Sequence, residues 1–143
     1  MFSTIVVGTD GSATAALAVA QAAQLARHNG ATLHLVAAFQ LPAAVADPLS
    51  GALLGQFTTS EEQMSVAQQM LEKVAGELEG LDIELHAKSG APAAVIVAHA
   101  EEVGADLIVV GSKGMQGARR IIGSVPNTVA HSAGCHVLIA KTI

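Results

Sequence analysis

Aromatic side chains are nearly missing from this chain. They make up 2% of its 143 residues, and there is no Trp or Tyr. That argues against a protein that grips single-stranded nucleic acid by stacking bases on aromatic platforms. Basic residues are scarce as well. Seven Lys and Arg stand against twelve Asp and Glu, a net charge of −5, whereas a general DNA or RNA binder needs a basic face to displace counterions. The single cysteine, Cys135, leaves no internal disulfide to form. No uninterrupted apolar run approaches the roughly 18 residues that span a bilayer. The opening MFSTIVVGTDGS has neither a basic region nor a long apolar region of the secretory kind. The expectation is a soluble, cytoplasmic protein in a reducing setting, with no nucleic-acid or membrane partner.

What is present is alternation. TIVVG (4–8) is a short β-branched run that ends in the turn and cap signal TDGS. Ala16, Leu17, Ala20, Ala23 and Leu25 recur at helical spacing from Ser12 to His28, and Asn29-Gly30 stops the helix. A second strand is predicted over 31–39. The next twenty residues, 40–59, carry two prolines and two glycines with no period; such stretches are usually lids, partner surfaces or disordered. A hydroxyl cap at Ser60 followed by Glu61 and Glu62 predicts a helix to about Gly80. Strands at 83–88, 105–111 and 136–142 and helices at 91–103 and 124–133 complete the pattern. The order is β-α-β-α-β-α-β-α-β. Unbroken apolar strands are buried on both faces, so the fold class is α/β: one domain over residues 1–143, an open parallel sheet with helices on both faces.

In such sheets the ligand crevice opens beyond the carboxyl ends of the strands, where the winding reverses. Those ends carry Thr9, Asp10, Gly11 and Ser12 after the first strand and Ala38 after the second. After the fourth comes the stretch VVGSKGMQGARRIIGSVPN (109–127). Gly111, Gly114 and Gly117 allow positive φ and close approach. Successive amides in such a loop form an anion-binding concavity. Gly123-Ser124 then opens a helix whose first amides are unpaired and lie at its positive end. Two anion sites in tandem suit a di- or triphosphate. A P-loop is not the match, because Lys113 lies between the glycines, and GTDGS breaks the dinucleotide-binding spacing.

The segments IVVGTDGSATA, ADLIVVGSKG and GSVPNTVAHSAGCHVLIAK together resemble the universal stress protein family in its nucleotide-binding branch, across essentially the whole chain. The resemblance implies a flavodoxin-like (adenine nucleotide alpha hydrolase-like) sheet of order 3-2-1-4-5, a homodimer, and ATP, AMP or cyclic AMP at the switch point, with Mg²⁺ reaching the site through the phosphates. The family's pattern is Gly-x2-Gly-x9-Gly followed by Ser or Thr. Gly111 and Gly114 match its first part and Gly123-Ser124 its last, but only eight residues separate Gly114 from Gly123. One residue fewer shortens the reach by at most ~3.6 Å. By the same resemblance Asp10 meets the ribose or base and Ala38 meets the adenine edge through its backbone. Gly111, Gly114, Gly123, Ser124 and Val125 hold ribose and phosphates. Thr9, Gly11, Ser12, Val110, Lys113, Met115 and Gly117 complete the implied contacts.

Plainer roles stand beside these. Asp10 is also a turn residue. Ser12 and Ser124 are helix caps. Lys113, Arg119 and Arg120 either pair with phosphate or are solvated, and Arg119 and Arg120 cannot both point inward on a helix. His131, Cys135 and His136 suggest a metal, but adjacent side chains diverge on a strand and no fourth ligand is evident; Cys135 reads as a small hydrophobe. His34, His86 and His99 fall in separate elements with no matched partner. No Ser–His–Asp set is assignable, so the expected function is regulatory nucleotide binding in a stress response rather than catalysis, with an unidentified protein partner. A slow Mg²⁺-dependent ATP hydrolase or phosphoryl or nucleotidyl transferase, with Asp10 facing the metal, is the alternative. A dimerisation module pairing through strand 136–142 is another.

Overall fold

The computed structural model describes residues 1–40, 60–113 and 124–142. Among them the chain order is β1 (Thr4–Gly8), α1 (Ala13–Asn29), β2 (Thr32–Phe39), α2 (Ser60–Gly76), β3 (Ile83–Ser89), α3 (Pro92–Val103), β4 (Leu107–Gly111), α4 (Val125–Ser132) and β5 (His136–Ala140). The strands form one sheet of order β3-β2-β1-β4-β5, and every pairing is parallel. The expected α/β class and strand order are therefore the observed ones.

Alternate strand residues serve opposite cores. Ile5 and Val7 of β1, Leu33 and Leu35 of β2, and Leu107 and Val109 of β4 pack with Ala18, Val19, Ala22 and Ala26 of α1 and Leu71 of α2. Val6, Val36, Ile108 and Val110 pack instead with Val95, Ile96 and Ala100 of α3 and Val129 of α4. The two helix layers thus cover both faces, which explains why the strands read as unbroken apolar runs. Gly8 ends β1 against α3: a Cβ there would collide with Ile96 Cδ1.

The helix ends follow their local chemistry. Ser12 caps α1 by accepting from the Ala15 amide at 3.1 Å, and Gly30 closes it in the left-handed conformation. Ser124 caps α4 by accepting from the Asn127 amide at 3.3 Å. Other boundaries differ from expectation for identifiable reasons. The helix predicted to Gly80 ends at Gly76, where the Glu77 and Leu78 amides turn back to Val74 and Ala75. The strand predicted from 105 begins at Leu107, because the Ala105 amide is used to close α3 on Ala100. The last strand stops at Ala140, since the Thr142 amide donates to Ser112 Oγ rather than to a ladder.

The apolar face of α1 is also rotated. Ala16, Leu17 and Ala20 point outward, with Leu17 54% exposed, while Ala18, Val19, Ala22, Ala23 and Ala26 are buried. A thin, Ala-lined helix can approach the sheet closely, and the face that includes branched Val19 at position 18–19–22–23–26 spacing is the one that does so.

One carboxylate fastens the amino ends of the two central strands. Asp106 accepts from the Ser3 amide, the Thr4 amide at 3.1 Å and Ser3 Oγ at 2.9 Å. Burial pushes its carboxyl up, but the hydrogen bonds from Ser3 and Thr4 outweigh that and hold it below its usual value. A depressed carboxyl stabilises the fold above its ordinary pKa of 3.8 and loses that contribution as pH falls through the lower, folded-state value. Asp106→Ala is expected to cost about 1.5 kcal/mol at neutral pH. Urea midpoints should show a smaller loss in the variant than in the wild type when pH is taken below the carboxyl range; equal losses would refute the clamp.

Candidate functional site

The winding reverses at β1. The chain steps outward from β1 to β2 and β3, then returns to place β4 on β1's other side. The carboxyl ends of β1, β2 and β4 therefore meet at one rim, the place where an open α/β sheet offers a crevice.

A cleft of about 510 Å³ opens there, within the usual range for a small-molecule site. Thr9 and Asp10 line it from the end of β1, and Ala37, Ala38 and Phe39 from the end of β2. Glu62, Gln63, Val66, Ala67 and Met70 of α2 form the facing wall. Val66 is 68% exposed, an apolar side chain left open to the cleft.

The loop after β1 is tightly built. Thr9 is buried; its amide continues the ladder to the Val36 carbonyl at 2.9 Å, and its Oγ1 accepts from the Gly11 amide at 3.1 Å. Asp10 Oδ1 accepts from the Ser12 amide at 2.9 Å. Gly11 has φ +79°, and a Cβ on it would lie 2.7 Å from Met70 Cγ. This position therefore needs glycine both for its backbone and for the approach of α2. Burial pushes the Asp10 carboxyl up, but the bonds from Ser12 prevail, and the Lys113 charge adds to them, so it stays below its usual value. Asp10 is thus ionised at neutral pH, within reach of the Lys113 charge. The amino end of α1 points its positive dipole end at the same rim.

Of the residues expected at a nucleotide site, Thr9, Asp10 and Ala38 come together in the cleft. Gly11 and Ser12 shape its edge. Val110 is a core residue: its side chain packs with α3 and α4. Gly111 is closely approached by Thr142, whose Cγ2 would lie 3.0 Å from a Cβ there. Lys113 is exposed, Ser124 caps α4, and Val125 packs against the α3–α4 core. Gly114, Met115, Gly117, Arg119, Arg120 and Gly123 lie outside the described residues, as do 41–59. The α2 wall was not anticipated. Gln63, Val66, Ala67 and Met70 recur at helical spacing just after the aperiodic stretch, and that stripe is the signal that could have revealed it.

The histidines are redistributed. His136 is exposed on the edge strand and meets Phe2 edge-on, with ring centres 6.0 Å apart. Cys135 is half-buried; burial pushes its thiol up, and Asp106 adds to that. His34, His86 and His99, for which no partner was expected, converge from β2, β3 and α3 into one cluster. Strand pairing and the β3-to-α3 crossover bring them together, and neither is visible as sequence spacing.

The universal stress protein family model matches residues 1–141. The chain belongs to the universal stress protein family. Among its relatives, a universal stress protein of Methanocaldococcus jannaschii is 32% identical over 99% of this chain and 83% of its own length. A universal stress protein solved in complex with cAMP is 34% identical, with a TM-score of 0.73 over 99% of this chain and 98% of that one. The universal stress protein from Archaeoglobus fulgidus in complex with dAMP is 26% identical, with a TM-score of 0.61 over 96% of each chain. Among the described residues no helix of this family member is long and apolar enough to cross a membrane.

Gly11→Ala should lose about 1–2 kcal/mol from the left-handed backbone alone, read as a lower urea midpoint. An unchanged midpoint would mean that the β1 loop does not adopt this turn.

Proposed function

We propose that this protein binds an adenine nucleotide in the cleft between the ends of β1 and β2 and the wall of α2, and acts as a cytoplasmic stress-response regulator. The observation that carries the reading is the cleft itself. Ala37, Ala38, Phe39, Val66, Ala67 and Met70 give it an apolar slot of the kind that accepts a purine. Asp10 stands beside the slot, ionised, where a ribose hydroxyl would donate to it. Relatives solved with cAMP and dAMP support the choice of an adenine nucleotide.

The phosphates extend toward the β4 side. By the family resemblance they fall to Gly111, Lys113 and Ser124, with Gly114 and Gly123, which lie outside the described residues, and Mg²⁺ enters with a polyphosphate. The output is linkage: bound nucleotide favours one state of a homodimer, paired through β5, or of a complex with a protein partner. Turnover is not part of this reading: Asp10 serves as turn acceptor through Oδ1 and as ribose acceptor through its other oxygen. Phosphate release from ATP that disappears in Asp10→Asn would overturn that part and favour a slow hydrolase.

Calorimetric titration with cAMP, AMP and ATP tests the binding. Heat and a thermal shift are expected with at least one of them, and none with all three rejects the reading. Gly114→Val and Gly123→Val should abolish binding while the protein stays folded. Val66→Asp, at an exposed position, should weaken it by about tenfold, roughly 1.4 kcal/mol, with little change in stability. Undiminished affinity in all three variants would place the ligand elsewhere.

A further inference from the structure

We propose that His34, His86 and His99 form a binding site for a divalent transition-metal cation of the zinc class, three imidazole nitrogens supplying its ligands. The site lies on the α3 side of the sheet, away from the α2-walled cleft. His34 is four residues before Ala38 on β2, roughly 13 Å along the strand.

The spacing fits a metal. His34 Nδ1 lies 3.2 Å from His86 Nε2 and 3.2 Å from His99 Nε2. One ring nitrogen from each residue lies within 4.8 Å of the other two. Zinc–nitrogen bonds of about 2.0–2.1 Å in a tetrahedron put neighbouring nitrogens about 3.3–3.4 Å apart. Two edges of that tetrahedron are nearly in place, and small ring rotations close the third.

Proton bookkeeping favours a cation over bare histidines. A neutral imidazole has one N–H and one lone pair. His34 Nε2 faces Glu84 Oε2 at 3.2 Å, so it carries the hydrogen and Nδ1 is a lone pair. The two neighbouring Nε2 atoms must then both be donors to a single lone pair. That leaves His99 Nδ1 as a buried lone pair with no hydrogen-bond partner, 4.0 Å from the Glu102 carboxylate. A metal removes the conflict. All three converging lone pairs go to the cation, His34 Nε2–H donates to Glu84, and His99 Nδ1–H faces Glu102. His34 then has a carboxylate at hydrogen-bond distance behind its ring, the arrangement that orients metal-bound histidines and raises their basicity, while the Glu102 carboxylate stands 4.0 Å from His99 Nδ1.

The surroundings keep the rings ready. Burial, then neighbouring His86, Lys88 and His34, pushes His99 down to about 4, and burial with His34 lowers His86. His34 and His99 are 4% and 1% exposed, while His86 is half-buried and offers the way in. Lys88 is the opposing charge, and Glu102 offsets it at 2.8 Å. Three nitrogen ligands leave a further coordination position for water, and imidazole ligands select zinc, copper or nickel over magnesium or calcium.

Titration of the full chain with Co²⁺ as a visible probe, followed by Zn²⁺ displacement, tests the site. One equivalent of Co²⁺ is expected to give the intense visible bands of a tetrahedral complex, and Zn²⁺ to abolish them. His86→Ala, at a half-buried position, should remove the bands while circular dichroism shows the fold intact. Glu84→Gln, behind His34, should weaken Zn²⁺ binding by roughly 10–100-fold, and Cys135→Ser should leave it unchanged. Absent bands with folded protein, or binding retained in His86→Ala, would overturn the proposal.

Discussion

Val6 and Val7 point to opposite faces of β1, and neither is reached by solvent. A strand with two dry faces must be covered by helices on both sides, and β1 also has strands on both edges. Every other placement depends on that. Because β2 and β4 flank it, the chain leaves the carboxyl end of β1 for α1 on one face and, after β4, reaches α4 on the other. The turn Thr9-Asp10-Gly11-Ser12 has no strand above it, so it forms one margin of the cleft.

Burial then divides β2 between two tasks. Leu33, Leu35 and Ala37 face the layer made by α1 and α2, and Ala37 reaches the cleft wall. His34 and Val36 face α3 on the other side. Position along the strand separates the nucleotide slot from the histidine cluster, since Ala38 shares the α3 side with His34 and Val36 yet lines the cleft, and both depend on the same eight-residue strand. The separation is chemical as well as spatial. One side offers an apolar slot beside an ionised carboxylate, and the other offers nitrogen donors backed by carboxylates.

Much of this was legible in the residues. The punctuation by Ser12, Gly30 and Ser124 marks helix ends because each acts through its own backbone neighbourhood. The β-branched runs mark strands for the same local reason. The strand order came from family resemblance, since alternation alone does not say on which side of β1 the fourth strand falls. The phase of α1 was misread because alanine on both faces gives the helix two apolar stripes, and only the sheet decides between them. The α2 wall and the triple-histidine cluster were missed because they arise from long-range packing. His34 and His86 are 52 positions apart and become neighbours only through the β2–β3 register.

The bare α-carbon at position 8 has a wider reach than its size suggests. It accepts Ile96 at the point where the first strand runs out into the crevice turn. Ile96 and His99 are one helical turn apart on α3, so the helix that packs on this α-carbon is also the one that carries His99 to its cluster. The crevice margin and the helix that carries one of the imidazoles thus adjoin a single contact, and an added methyl group at position 8 would meet the end of the Ile96 side chain first.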